Sequence, residues 1–455
     1  MIESNLTSFI PEYNELYKMF SPRLAQDIFV FGEEKANTFY CYVLLNGEKT
    51  EVKRNASFSG EIERKRYLKR YTKLCLYKAL EKHFNVKLPW GALTGIRPVK
   101  FAKSFDNFEE YFSREMEVDD NKINLVKSII QTQNSLNVQT DKLDIYVGIP
   151  FCPSRCYYCS FVSGALNEKS PVNEYIEALC YEINQAKDLY KSRIGTVYIG
   201  GGTPAVLNEE QTEKLLKTLD IPSNVEFTVE AGRPDCVTKE KLDIYAKYGV
   251  NRICINPQTL NQKTLDLIGR KHTVEQIYSC FKLARNYPFY INMDLIAGLK
   301  GENLKDFKNS VDKTVELNPD NVTVHTLCIK AGSSLKRECD YLSDGEIGKM
   351  LSYSQKILTE NLYSPYYLYR QKYMAGNYEN VGYSLKGKEC LYNVGVMEEV
   401  TDNLAFGASA NSKIIISDGK KIERYYPPKD VLTYIKNIKI ISKEKLKFFT
   451  KKIAF

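Results

Sequence analysis

The chain is short of several things. Histidine occurs three times and tryptophan once in 455 residues. The apolar runs are brief, such as 42–45 and 438–441, the latter broken by Lys439. None approaches the roughly 18 apolar residues of a membrane-crossing helix. The opening MIESNLTSFIPEYNELYK brings acids early and lacks the basic-then-apolar order of an export signal. A soluble, cytoplasmic protein with no membrane partner is therefore expected. Twelve cysteines are too sparse over this length for a disulfide scaffold. The formal net charge of +8 is mild for the size and permits an anionic partner without requiring one. The densest basic run, Arg64-Lys65-Arg66 with Lys69-Arg70, lies beside Leu68, Leu74, Leu76 and Leu80 at helical spacing. It reads as a solvated helix face, as does the Lys-rich stretch 443–452, and no nucleic-acid partner is expected.

Hydrophobic residues make up 43% and aromatics 12%, which excludes global disorder. At about 150 residues per domain, roughly three domains fit, and the pattern shifts accordingly. Residues 1–135 form a mixed N-terminal α+β domain, with strands over 39–45 and 51–54, a helix over 61–84 and a turn-rich loop over 88–98. From 140 to 335, apolar and β-branched runs recur at 143–149, 196–199, 225–229, 252–255, 290–295 and 322–326. Helical patterns separate them at 173–190, 209–219, 239–248, 274–285 and 304–317. Six βα alternations imply a parallel sheet with right-handed crossovers. An open doubly wound sheet and a barrel both fit, and both place chemistry at the C-terminal strand ends. In 336–455 the alternation stops: 366–374 is aromatic and basic, 376–387 is loop-like, and 391–398 and 413–417 read as strands. This region is expected to be a smaller α+β cap that covers the substrate.

Nine cysteines are scattered singly and read as small core residues. The other three follow the strand at 143–149, in Pro150-Phe151-Cys152-Pro153-Ser154-Arg155-Cys156-Tyr157-Tyr158-Cys159. The C-x3-C-x2-C spacing lets one loop wrap a single metal centre. Zinc usually shows paired C-x2-C units or a nearby histidine, and His83, His272 and His325 are all distant in sequence. Soft thiolates without imidazole favour an iron–sulfur cluster over a zinc loop. Three ligands on four irons leave one iron open.

This stretch resembles the radical S-adenosylmethionine (SAM) superfamily. More narrowly, Tyr146-x-x-Ile149-Pro150-Phe151-Cys152…Cys156-x-Tyr158-Cys159 is similar to the oxygen-independent coproporphyrinogen III oxidase (coproporphyrinogen dehydrogenase) family. The likeness continues through Gly200-Gly201-Gly202-Thr203-Pro204, Val229-Glu230, Asn256-Pro257-Gln258, Ile268-Gly269-Arg270 and Asn292-Met293-Asp294-Leu295-Ile296-x-Gly298-Leu299. The flanks Leu93-Thr94-Gly95-Ile96-Arg97-Pro98 and Tyr369-Arg370-Gln371-Lys372-x-Met374-Ala375-Gly376-Asn377 look like the HemZ-type branch.

The resemblance implies a partial (β/α)6 TIM-like barrel of the radical-SAM kind, between an N-terminal α+β domain and a C-terminal α+β cap. It implies that Cys152, Cys156 and Cys159 hold a four-iron four-sulfur cluster whose fourth iron chelates SAM. Electron transfer to SAM would then yield a 5′-deoxyadenosyl radical. By the same resemblance Gly201, Gly202, Thr203, Glu230, Gln258, Arg270 and Asp294 contact SAM, and Tyr146 reaches its sulfonium region as a catalytic residue. Read from the residues alone, the glycines can equally be a tight turn, Asp294–Arg270 an ordinary barrel salt bridge, and Tyr146 a core side chain. The implied activity is oxidative decarboxylation of coproporphyrinogen III to protoporphyrinogen IX in haem biosynthesis, with a small electron donor such as flavodoxin or ferredoxin. A tetracarboxylate tetrapyrrole would need cationic clamps, for which Arg97, Arg370 and Lys372 are the candidates. Two positions depart from the dehydrogenases: Gly148 stands where they often carry histidine, and Phe161 where they often add a cysteine. A haem chaperone and a radical-SAM tetrapyrrole methyltransferase are the alternatives. The former typically carries a C-terminal His-Asn-x-x-Tyr-Trp-like stretch, and no His or Trp occurs after 335.

Overall fold

The computed structural model describes residues 1–21, 26–160, 163–328, 344–371, 374–416 and 421–453. Lys372 and Phe161 fall outside these. The chain forms two compact units: Met1–Lys127 with Gly376–Tyr378, and Ser128–Ala375 with Glu379–Phe455. Among the described residues no helix is long and apolar enough to cross a membrane.

In the first unit, β1 (Ile2–Ser4), β2 (Ile28–Lys35), β3 (Thr38–Leu45) and β4 (Glu48–Asn55) lie in sequence order. The β2–β3 and β3–β4 hairpins turn through Ala36-Asn37 and Asn46-Gly47, all at positive φ, as tight two-residue hairpins require. Alternate residues Phe39, Cys41, Val43 and Leu45 point to one face. They pack there with Leu68, Tyr71, Leu74 and Cys75 of the helix Glu61–Phe84. The basic run on that helix has partners within the unit. Arg64 pairs with Glu34 at 2.8 Å, Lys69 meets Glu12 at 3.4 Å, and Arg70 lies over the rings of Tyr67, Phe101 and Tyr111.

The second unit is built on one eleven-stranded sheet. Its parallel centre is β5 (Leu143–Ile149), β8 (Ile194–Gly201), β9 (Glu226–Gly232), β10 (Arg252–Ile255), β11 (Tyr290–Ala297) and β12 (Asn321–Thr326), in that spatial order. Two short strands, β6 (Phe151–Cys152) and β7 (Gly164–Ala165), pair separately. The order of the six central strands never reverses. Crossovers of one hand therefore put every helix on the same face, whereas a doubly wound sheet needs a reversal. The arrangement is the six-fold βα half-barrel, and the doubly wound option is set aside.

The C-terminal region does more than cover this core. Its strands β13 (Ser364–Tyr369) and β14 (Asn380–Ser384) extend the sheet beyond β12 in antiparallel fashion. At the opposite edge β15 (Asp402–Phe406) runs parallel to β5, followed by β16 (Ser412–Ile416) and β17 (Lys421–Tyr425). Two local expectations are corrected. Residues 380–384, read as loop, are the strand β14. Residues 391–398, read as a strand, are the helix Leu391–Glu398. The alternation of Val394, Gly395 and Val396 mimics a strand, but the Glu226 carboxylate accepts from the Leu391 and Tyr392 amides at 2.9 and 3.0 Å and caps a helix there. That cap comes from far away in sequence, where a local pattern does not reach.

Candidate functional site

Strand geometry divides the half-barrel into two faces, because successive side chains point opposite ways. One face is apolar: Ile145, Val147, Val197, Ile199, Phe227, Val229, Ile253, Ile255, Ile291 and Met293 form one core with the helices. Each fully buried aliphatic side chain of this kind contributes about 1.5–3 kcal/mol. The alternate positions carry Tyr146, Tyr198, Glu230, Cys254, Asp294 and His325, a run of polar and aromatic groups on the inner face. Tyr146 and Tyr198 stack with centroids 6.4 Å apart, and Tyr198 stacks on Tyr392 at 4.7 Å. The Tyr198 hydroxyl lies 3.9 Å from Cys254 Sγ.

The cysteine loop leaves the C-terminal end of β5 and is held against the glycine turn that follows β8. The Gly202 amide donates to Ile149 O at 2.7 Å and the Thr203 amide to Phe151 O at 2.8 Å. Thr203 Oγ1 is 3.6 Å from Cys152 Sγ. Glycine is required here by space: a β-carbon on Gly202 would stand 2.9 Å from Cys152 Sγ, and one on Gly200 would stand 2.8 Å from Glu230 Oε2. Gly201 adds a φ of +111°. The other side of the loop meets the segment after the helix Gln262–Leu267, where the Tyr157 amide donates to Ile268 O at 3.1 Å. Cys156 is buried, and Cys152 and Cys159 are half-buried.

The expected SAM-contacting residues fall around this end of the sheet. Burial, together with the Asp294 charge, raises the Glu230 carboxyl to about 8. Asn256 Nδ2 reaches Glu230 Oε1 at 3.5 Å. Gln258 sits at a φ of +69° and is stitched to β11: its amide donates to Asp294 O at 2.8 Å, and its carbonyl accepts from the Ile296 amide at 2.9 Å. Arg270 and Asp294 do not pair with each other. Arg270 donates from Nη1 to Asn256 O. Burial alone would lower its pKa, yet Tyr158 and the Cys156 thiol beside it hold it above its usual value. Asp294 Oδ2 instead lies 3.5 Å from His325 Nε2, and His325 Nδ1 lies 3.4 Å from the Tyr369 hydroxyl. Tyr146 is half-buried, and burial pushes its phenol up.

Tyr198, Cys254, His325 and Tyr369 were not singled out as site residues. The signal for the first three was available: each occupies the same period-2 face as Glu230 or Asp294 on a neighbouring strand. Two of the expected clamps, Arg97 and Arg370, lie among the described residues. Arg97 precedes the short helix Pro98–Ala102 in the first unit. Arg370 is only 4% exposed, and burial, partly offset by Glu379, lowers it to about 9. It is an interior residue of the second unit.

The cysteine loop suits a multi-iron cluster in two respects. Its donors are thiols without imidazole. Beside Cys156, Arg270 Nε is buried without a hydrogen-bond partner, as is Asn256 Oδ1 nearby. Among the described residues no set of three or more His, Cys, Asp or Glu side chains is grouped about a single point.

Residues 146–314 match the radical SAM superfamily. The oxygen-independent coproporphyrinogen-III oxidase-like protein HemZ of Bacillus subtilis is 38% identical over 81% of this chain and 78% of its own. The heme chaperone HemW of the same organism is 37% identical over 41% of this chain and 50% of its own. Among solved structures, coproporphyrinogen III oxidase (HemN) from Escherichia coli superposes with a TM-score of 0.55 at 23% identity. That match covers 70% of this chain and 73% of the other, and it shows a shared fold.

Proposed function

The chain belongs to the radical SAM superfamily, in the branch of HemZ-like proteins, and from that premise we propose that it oxidatively decarboxylates coproporphyrinogen III to protoporphyrinogen IX. The observation that carries this reading is the meeting of the Cys152–Cys156–Cys159 loop with the Gly200–Thr203 turn at one end of a polar inner face. When bound there, the cluster and SAM supply one-electron chemistry and a radical able to take hydrogen from an unactivated carbon.

The chain's own residues bind, orient and exclude water. Cys152, Cys156 and Cys159 hold three irons. Gly201, Gly202 and Thr203 present backbone groups close to the loop. Glu230 and Asp294 face each other's charge inside the barrel, which disfavours ionising both and favours a cationic guest such as a sulfonium or ammonium group. Arg270, with an unpartnered Nε beside Cys156, is suited to a carboxylate. Gln258, fixed to β11, lines the same end, and Tyr146 stands on the inner face between loop and substrate. Of the substrate clamps, Arg370 would act from the interior of the second unit, while Arg97 and Lys372 are proposed for the propionates on side-chain chemistry alone. In the net change each propionate would lose a β-hydrogen atom, a carboxyl as carbon dioxide, and one electron to an acceptor, leaving a vinyl group. A small flavodoxin- or ferredoxin-like protein would provide the reducing electron.

The similarity to HemW supports a second reading, haem carriage. One anaerobic experiment separates the two. Reconstituted, reduced protein is given SAM and coproporphyrinogen III, and products are analysed by mass spectrometry. A tetrapyrrole with two fewer carboxyls is expected. SAM cleavage without it, together with stoichiometric haem binding, would transfer the assignment to the carrier. Alanine at Cys152, Cys156 or Cys159 should remove the bound iron, and unchanged iron would refute the ligand set.

A further inference from the structure

We propose that Arg233 is a positioning residue for the cluster-binding loop, tethering it through Ser154. Ser154 lies in the turn between Cys152 and Cys156. Arg233 follows the end of β9 and is only 3% exposed. Its Nη1 donates to Ser154 Oγ at 2.6 Å. The rest of the guanidinium is fixed by a fork on Asp235, Nε to Oδ1 at 3.0 Å and Nη2 to Oδ2 at 2.8 Å. The fully buried His272 backs Asp235, with Nδ1 at 3.5 Å. Burial alone would raise the Asp235 carboxyl, but His272 and Arg233 hold it well below the usual range, so the fork stays ionised.

The consequence is a hydrogen-bonded polar chain, Asp235–Arg233–Ser154, ending on a side chain of the turn between Cys152 and Cys156. A guanidinium locked by two parallel bonds has little rotamer freedom left, so the group it donates to inherits that fixity. Ser154 Oγ also lies 3.5 Å from Gly269 O, and Tyr157 is bonded to Ile268 O, so the loop is clipped on two sides. Groups that orient metal ligands from behind typically change metal retention about 10–100-fold when removed. The guanidinium, paired with Asp235, also places a cation one hydrogen bond from the loop that carries the three cysteines.

This role rests on the cluster reading above, and the test keeps the two apart. Arg233→Gln and Ser154→Ala, singly and together, are reconstituted with iron and sulfide. Iron loss to a chelator is timed, and the cluster's midpoint potential is followed by electron paramagnetic resonance. Each single variant should lose iron about tenfold faster than the parent, and the double variant no faster than Arg233→Gln. The charge-removing Arg233→Gln should also lower the potential, which Ser154→Ala should leave nearer the parent. Ser154→Ala touches only the loop end, so it remains decisive if Arg233→Gln fails to fold. Parent-like retention in Ser154→Ala overturns the tether. If the parent takes up no iron, the cluster reading falls. The tether is then judged on the iron-free protein by amide exchange over 152–159, which Ser154→Ala should accelerate and which an unchanged rate would refute.

Discussion

Gly202 stands so close to Cys152 that a β-carbon on the glycine would lie 2.9 Å from the thiol sulfur, with Phe151 O nearer still. The obstacle is partly backbone, which cannot swing aside as a long side chain can. Gly202→Ala should therefore shift the cysteine loop, cost about 1–3 kcal/mol and leave the reconstituted protein poor in iron. Gly164→Ala is the matched control, because Gly164, in β7 and paired with Phe151, meets nothing within 4 Å. Iron and sulfide per chain, with a melting curve for each, decide the matter.

Two buried carboxyls, Glu302 and Asp144, and the half-buried Glu230 give the protein a pH signature. Burial raises Glu230 to about 8, Glu302 to about 7 and Asp144 to about 6. Unfolded, such groups release their protons near pH 4 (about 3.9–4.3). From there up to about pH 8, the native state holds protons that the unfolded chain has lost, so stability falls as pH rises. Glu230→Gln should flatten the last part of that fall and be more stable than the parent near pH 8. Urea midpoints between pH 5 and 9 measure it, and an identical slope in the variant would refute the assignment.

Lys445 and Glu182 form a buried ion pair under the C-terminal helix Ile438–Ile453. Glu182 also accepts from the Tyr434 hydroxyl at 2.6 Å and the Gly407 amide at 3.0 Å. Removing the cation alone strands a carboxylate, so Lys445→Met should cost about 3–5 kcal/mol. Lys445→Met combined with Glu182→Gln should recover much of that, because the amide oxygen still accepts from Gly407. Equal losses in the single and double variants, by chemical denaturation, would show that packing rather than charge dominates.

Much of the second unit was legible in the chain. The six central strands and five of their helices follow from apolar runs bounded by turn residues, and three capping boxes, at Asn208, Thr273 and Asn303, mark helix starts. The cysteine loop and the glycine turn announce themselves by spacing. What the chain concealed depends on distant partners. Residues 391–398 become helix because Glu226 caps them. Residues 380–384 become strand because β12 and β13 flank them. In the first unit β1 is three residues long, too short for a periodic signal, and β2 ends in the acidic run Gly32–Lys35. His325 is distant in sequence from the cysteines, and what brings it to the site is the β11–β12 register, which pairs it with Ile296 and sets it on the same face as Asp294, 3.5 Å from its carboxylate.

The pairing of β15 with β5 bears on how the protein is made. Thr401, whose hydroxyl bonds Asp144, lies 257 residues further along the chain, so the strand that launches the cysteine loop lacks one neighbour until residues 402–406 have been made. Contacts this remote close late. A nascent chain that has not reached β15 would thus carry the thiols of Cys152, Cys156 and Cys159 beside an unfinished sheet edge.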